Sequence, residues 1–353
     1  MLRKILLSSC IAASLSLSGI AAAETKVGFV YVGPVGDHGW SYQHDQARQA
    51  VEKELGVKTT FVESVAEGAD AERVIRKLAS SGNDLIFTTS FGYMNPTLKV
   101  AKRFKKVKFE HATGYKRSTN VSTYSARFYE GRAILGAIAG KMTKSNVVGY
   151  IGSFPIPEVI RGIDAFTLAL RKVNPKATVK VVWVNSWFDP GKEGDAAKAL
   201  IDQGVDIITQ HTDSPAPLQV AEKRGVYAFG QASNMAAFAP KAQLTSIIDN
   251  WNNYYIARVK AVMDGSWKST DTWDGIKPGM VEMAPYGDAV PQDVRDMADK
   301  IKASIVDGSF HPFQGPIKNQ KGELVVKKGE VISDGDLARL NWYVEGVEGS
   351  IPK

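Results

Sequence analysis

Lys26-Val-Gly-Phe-Val-Tyr-Val-Gly-Pro-Val-Gly-Asp-His-Gly-Trp-Ser-Tyr42 is the stretch on which the reading of this chain turns. The apolar run Val27–Val32 predicts a buried strand, which Gly33, Pro34 and Gly36 stop, and a helical pattern begins near Trp40. In an open α/β sheet the loop at the carboxyl end of the first strand faces the ligand crevice. Asp37 therefore stands where it either caps the helix or accepts from a ligand N–H, and Trp40 where its ring either joins the core or stacks on something flat. The second half of the chain repeats the arrangement with another aromatic, which favours the ligand reading.

Working outward, helix and strand alternate. Helices are expected over Tyr42–Leu55, Glu67–Ser80 and Asn95–Phe104, with strands at Val57–Val62, Asp84–Thr88 and Val107–Ala112. The same syntax restarts with helices at Glu130–Met142, Glu158–Val173, Asp189–Gln203 and Ser214–Lys223. The strands between them are Val147–Ile151, Val179–Val184, Val205–Thr209 and Val226–Gly230. Strict alternation is the mark of doubly wound parallel sheets. The expected fold class is thus α/β, with two lobes, each a parallel sheet flanked by helices, whose loops face one another across a cleft. Lobe one is expected at 24–125 with 246–268, and lobe two at 126–245 with 269–353. The tail adds helices at Asn253–Met263 and Gln292–Val306 and a hairpin within Pro312–Val326.

The first 23 residues read as a secretory signal peptide: Arg3 and Lys4, an apolar stretch from Ile5 to Ile20, then the small residues Ala21-Ala22-Ala23 before Glu24. Cys10, the sole cysteine, sits in a faint lipobox with most of the apolar region after it, so a soluble exported protein is expected rather than a lipoprotein. Cleavage removes Cys10 and two positive charges, taking the formal charge from +7 to +5. With 353 residues, 44% hydrophobic and 23% charged, the chain has the composition of an ordinary globular protein of about two domains. The basic residues are dispersed, densest over Lys102–Lys108, which argues for solvated helix faces and against a nucleic-acid partner.

Enzyme and metal signatures are poor. There is no G-x-S-x-G elbow, P-loop or H-E-x-x-H, and His38, His44, His111, His211 and His311 are too far apart to suggest a metal or a cofactor. His211 and Asp213 read as surface polar residues at a strand end. The strand-end loops are richer: Asp37, Trp40 and Ser41, then Phe91 and Gly92, in lobe one; Trp187, Asp213, Gln231 and Asn234 in lobe two. Aromatics from opposing lobes with carboxylates and amides between them suit a flat heterocycle, the rings covering its faces and the polar groups reading its edge. Asp189, followed by Pro190, reads as a helix N-cap.

Gly149-Tyr-Ile-Gly-Ser-Phe-Pro-Ile-Pro-Glu-Val-Ile-Arg161, Ser186-Trp-Phe-Asp-Pro190 and the terminal Gly315-Pro-Ile, Gly322 and Asn341-Trp-Tyr-Val-Glu-Gly346 resemble the basic membrane protein family, over essentially the whole mature chain. These are substrate-binding components of ABC importers, best known as purine nucleoside receptors. The resemblance implies a two-lobed periplasmic-binding-protein fold, a purine-like ligand trapped between lobes, an ABC permease in the inner membrane as partner, and a monomer in the periplasm. It assigns the stacking aromatics to Trp40 and Trp187 and a base-reading polar group to Asp37. Two departures stand out: the family's ribose-holding Asp is Gln231 here, and the basic residue after Thr245-Ser246 is missing, the chain running on to Asp249. Both remove groups that hold a sugar, so the expected ligand is a nucleobase such as adenine or guanine. Asp37, Asp213 and Asp249 are its expected acceptors, Asp249 having a helix cap as its other reading. A purine nucleoside, a secreted nucleoside hydrolase and a sensory ligand carrier are the rival readings.

Overall fold

The computed structural model describes residues 24–352; the expected signal peptide, with Cys10, lies outside the described residues. The first half runs β1 (Lys26–Val30), α1 (Trp40–Leu55), β2 (Lys58–Val62), α2 (Ala69–Ser80), β3 (Leu85–Thr88), α3 (Met94–Ala101), β4 (Lys108–Ala112) and β5 (Val121–Ala126). The second runs α4 (Phe128–Met142), β6 (Val147–Gly152), α5 (Pro157–Val173), β7 (Thr178–Trp183), α6 (Pro190–Asp202), β8 (Ile207–His211), α7 (Ala216–Arg224), β9 (Tyr227–Gly230) and β10 (Gln243–Asp249). There follow α8 (Asn252–Met263), β11 (Asp271–Asp274), β12 (Val281–Met283), α9 (Gln292–Asp307), a short hairpin of β13 (Ile317–Lys318) and β14 (Leu324–Val326), and β15 (Val347–Glu348).

Two sheets result. One is parallel throughout, in the order β2-β1-β3-β4-β5-β11; the other has the order β7-β6-β8-β9-β10, with β12 antiparallel beyond β10 and β15 parallel beyond β7. The strand order reverses beside β1 in the first sheet and beside β6 in the second, the position at which such sheets open a crevice at their carboxyl ends. Strands β1, β3 and β8 are buried almost throughout, as parallel strands covered on both faces must be, which explains their near-continuous apolar runs. Phe29 on β1 stacks on Phe87 of β3 at 4.9 Å between centroids, a contact worth about 0.5–1.5 kcal/mol beyond its area. Helix α4 is buried nearly all round and lies against α5 so closely that a Cβ on Gly136 would sit 2.1 Å from the Phe166 carbonyl oxygen.

Sheet membership places the crossings between lobes later than the sequence suggests. β10 pairs with β9 through Ser246 and with β12 to Asp249, and β11 pairs with β5, so the crossings follow Asp249 and Asp274 instead of 245 and 268. The chain passes between lobes three times, at Arg127, at Asn250–Trp251 and after Asp274, and the three passages are bonded together. Arg127 N donates to Asp274 O at 2.7 Å and Asn250 N to Met280 O at 2.9 Å. Trp251 is fully buried there, its ring parallel to that of His44 on α1 at 4.9 Å.

The tail completes lobe two. Asp164, fully buried on α5, accepts from Val344 N at 3.0 Å, while its Oδ2 has no hydrogen-bond partner among the described residues. Burial pushes this carboxyl well above the ordinary aspartate value, and the single backbone N–H only partly opposes it. A raised folded-state value means that the native state holds a proton the unfolded chain has released, so stability falls as pH rises from the unfolded value through the folded one. Asp164→Asn keeps the bond to Val344 and cannot ionise. Thermal melts from pH 5 to 9 should show the variant gaining on the wild type as pH rises; a difference independent of pH would contradict this.

Candidate ligand-binding site

The site is built on the loop after β1. The Asp37 carboxylate accepts from three backbone groups: Gly39 N at 2.8 Å, Ser41 N at 2.9 Å and Tyr42 N at 3.0 Å. Those donors include the otherwise unpaired N–H groups at the start of α1, so Asp37 is a structural cap. Ser41 Oγ accepts from Gly33 N at 3.1 Å and closes the same loop. The loop in turn aims Trp40 at the cleft. The Trp40 Nε1 donates to Thr89 O at 2.5 Å, and its ring meets His44, Trp251 and Phe128 edge-on. Half of this side chain is therefore embedded in the packing at the crossings, leaving one region of it open to the cleft.

Lobe two brings Trp187, from the loop between β7 and α6, and Asp213, just past β8. Asp189 caps α6, accepting from Lys192 N at 3.0 Å. The lobes are in contact across the cleft. Trp187 Nε1 donates to Glu67 Oε1 of lobe one at 3.3 Å, Ser233 Oγ donates to the His38 carbonyl, and the His38 and Phe238 rings lie 4.6 Å apart. Glu67 Oε1 also accepts from Ser90 Oγ at 2.5 Å and Gly92 N at 3.1 Å. At the closest approach a Cβ on Gly39 would lie 2.4 Å from the Asp213 carbonyl oxygen, so only a glycine lets the two loops meet.

Between them lies a cavity of about 330 Å³ counted to its mouth. Trp40, Phe91 and Trp187 supply its aromatic walls, and Asp213, Gln231, His211 and Glu158 its polar ones, with Val32, Ser90 and Thr113 between. The polar side is buried and short of partners. Asp213 is 4% exposed; its Oδ2 and His211 Nδ1 have no hydrogen-bond partner among the described residues, and His211 Nε2 lies 3.6 Å from Glu158 Oε1. Burial, then the fields of Asp37, Glu193, Asp249 and Glu158, push the Asp213 carboxyl well above its ordinary range. Burial likewise raises Asp37, against the pull of its three N–H donors. Those donors favour the ionised form of Asp37, so of the two acids Asp213 is driven further towards the protonated form. Burial lowers His211, which keeps the imidazole neutral.

Of the residues expected at the site, the fold brings Trp40, Phe91, Trp187, Asp213 and Gln231 to one cavity. Asp37, Ser41 and Gly92 stand behind it, committed to loop hydrogen bonds. Asn234 is exposed and turned away, accepting from Ala236 N and Gln243 Nε2. Asp249 is buried in the field of Arg132 and off the cavity wall, neither oxygen having a hydrogen-bond partner among the described residues. His211 and Asp213, expected on the surface, are instead buried, because the opposing lobe covers the end of β8. Sequence reasoning missed Glu158 and Thr113. It also missed Arg132, a fully buried side chain on α4 that donates to the Gln231 side-chain oxygen.

The family model of PnrA-like ABC transporter substrate-binding proteins matches residues 24–311. The chain belongs to this family. Its members are binding proteins rather than enzymes, and the role implies a small-molecule ligand and a transporter permease as partners. Substrate-binding proteins of ABC importers work outside the cytoplasm, and no helix among the described residues is long and apolar enough to cross a membrane. A purine-binding protein of Brucella abortus is 59% identical over 345 residues, covering 97% of this chain and 98% of its own length. A putative ABC transporter glucose-binding protein of Haloferax volcanii is 38% identical, covering 95% of this chain and 83% of its own. Among solved structures, an ABC transporter solute-binding protein of Aeropyrum pernix superposes with a TM-score of 0.71 at 20% identity, over 84% of this chain and 93% of that one, and shares the fold.

As a cap, Asp37 carries stability independent of any ligand. Asp37→Ala should cost about 0.5–2 kcal/mol in urea unfolding of the ligand-free protein, the range for lost helix caps. Unchanged stability would return Asp37 to the ligand.

Proposed function

We propose that this receptor carries a purine-type ligand, a free nucleobase such as adenine or guanine, through the periplasm to an ABC permease in the inner membrane. The observation that carries the reading is the cavity itself: three aromatic side chains share it with a carboxyl and a primary amide, the set that covers a flat heterocycle and reads its edge. The purine-binding relative from Brucella abortus supports the ligand class. One feature favours the base over its nucleoside. Gln231 stands where the resemblance places a ribose-holding acid, and its side-chain oxygen is engaged by Arg132. A ribose hydroxyl left unpaired in such a site costs about 1–3 kcal/mol. The contacts Glu67–Trp187 and His38–Ser233 join opposite lobes, so they exist only in the closed form and, with the ligand, draw the population towards it. The working form in this reading is the monomer left after cleavage near Glu24.

Calorimetry on refolded, ligand-stripped protein with adenine, guanine, adenosine, guanosine and glucose tests the reading. The bases should bind most tightly. Tighter binding of both nucleosides would overturn the base assignment, and binding of glucose alone would overturn the purine. The Trp187 ring pairs with one other ring, that of Phe154, and its Nε1 bonds Glu67, whereas the Trp40 ring meets His44, Trp251 and Phe128 in the packing at the crossings. Trp187→Ala should therefore weaken the bound base by about 1–3 kcal/mol, ten-fold to over a hundred-fold, without lowering the melting temperature. Trp40→Ala should lower both. Unaltered affinity in the Trp187 variant would remove it from the stack.

A further inference from the structure

Two buried guanidinium groups of lobe two, those of Arg132 and Arg161, have no carboxylate hydrogen-bonded to them among the described residues; Arg161 donates to the Leu337 backbone, whereas Arg132 bonds a side chain at the cleft. It is fully buried on α4, its guanidinium carbon lies 5.5 Å from the centre of the Tyr150 ring, and Nη1 is 3.5 Å from Thr209 Oγ1. Its firm bond runs from Nη2 to the side-chain oxygen of Gln231. A guanidinium has donors and no acceptor. It therefore accepts only one face of the Gln231 amide: Oε1 must point at Arg132, and a flip would set N–H groups against N–H groups. With Oε1 so held, Nε2 is turned the other way. Gln231 is 3% exposed and lines the cleft cavity, and its Nε2 donates to no protein atom among the described residues.

We infer that Arg132 is a positioning residue that locks Gln231 as an obligate hydrogen-bond donor to the ligand, and that the atom it addresses is an unprotonated ring nitrogen of the purine. The inference rests on the purine reading above and deepens it. A free amide is an ambiguous reader, since rotation by half a turn exchanges its donor for its acceptor. Fixed by Arg132, it recognises an acceptor alone. The nearby Asp213 carboxyl, on the same wall, is left to meet the ligand's N–H groups or its second acceptor. The same lock accounts for an amide at this position in place of an acid. A carboxylate at 231 would also satisfy Arg132, but it would offer the ring nitrogen a second acceptor.

The test is a comparison of dissociation constants by calorimetry. Whichever of adenine and guanine binds wild-type protein more tightly is set against its analogues in which one unprotonated ring nitrogen, N3 or N7 and for adenine also N1, is replaced by C–H. One analogue should bind at least ten-fold more weakly than the parent. That ratio should collapse to near one in Gln231→Met and in Gln231→Glu, persist in Arg132→Lys, whose ammonium is also donor-only, and fall in Arg132→Gln, which lets the amide turn. A ratio of affinities within one variant is insensitive to general loss of stability, and Gln231→Glu keeps Arg132 paired if Arg132→Gln does not fold. All the analogues binding like the parent, or a ratio that survives in both Gln231 variants, would overturn the donor role while leaving the purine reading intact. A ratio kept in Arg132→Gln, or lost in Arg132→Lys, would overturn the part given to Arg132. If the wild type binds no purine, this inference falls with the function on which it rests.

Discussion

The Asp37 carboxylate, with three backbone N–H groups turned onto it, is the interaction on which the cleft depends. It bends the chain between the end of β1 and the first turn of α1, and that bend does three things at once. It points Trp40 into the cleft, presents the bare backbone of Gly39 to Asp213, and offers the His38 carbonyl to Ser233. None of these could be achieved by the side chains concerned, because all three are matters of where the main chain lies. Charge–dipole bonds of this kind are stronger than neutral ones, which suits a loop whose shape sets three contacts at once.

Lobe two solves a different problem, that of many ionisable groups held out of water. Arg132, Glu158, Asp164, Glu193, His211, Asp213 and Asp249 are all nearly or fully shielded. Leaving them all charged would cost several kcal/mol per ion. The outcome differs from group to group. Glu193 is held by Ser214 and by the backbone of Asp189 and Ser214, His211 is held neutral by burial, and Asp213 and Asp249 are driven towards the protonated acid. Arg132 and Arg161 keep their charge of necessity, and of the two it is Arg132 whose bonded side chain lines the cleft cavity.

The alternation of strands and helices was legible because parallel strands buried on both faces are apolar from end to end, and helices between them carry one apolar stripe. Among the strands that escaped notice are two whose burial is largely polar. Val121-Ser-Thr-Tyr-Ser-Ala126 is an interior strand whose Ser122 accepts from Thr270 N and Arg258, and whose Thr123 donates to Asp271. In Gln243-Leu-Thr-Ser-Ile-Ile-Asp249, Thr245 donates to Ala284 O. Hydrophobic periodicity cannot see a strand whose hydroxyls find partners only after folding. The aromatic rim of the cleft could be read from loop chemistry, but Glu158 had the look of a first-turn helix acid and Arg132 that of a solvated helix charge. One signal was available for the latter: Gly131 to Gly140 is otherwise apolar on every side, and a charge at the head of such a helix has nowhere to go but inward.

The triple passage between lobes has a mechanical meaning. Two flexible strands joining two bodies define a line about which they can turn, yet still let one body twist against the other. A third, tied to the first through Arg127 and Asp274 and to the second through Asn250 and Met280, removes that freedom. In the receptor proposed above, what is left is a single swing, like that of a book on its spine. Every opening would then retrace every closing, and a membrane partner that grips one cover would learn the position of the other. The distance between two patches on the outer surface would become a one-dimensional gauge of whether the space between the pages is filled.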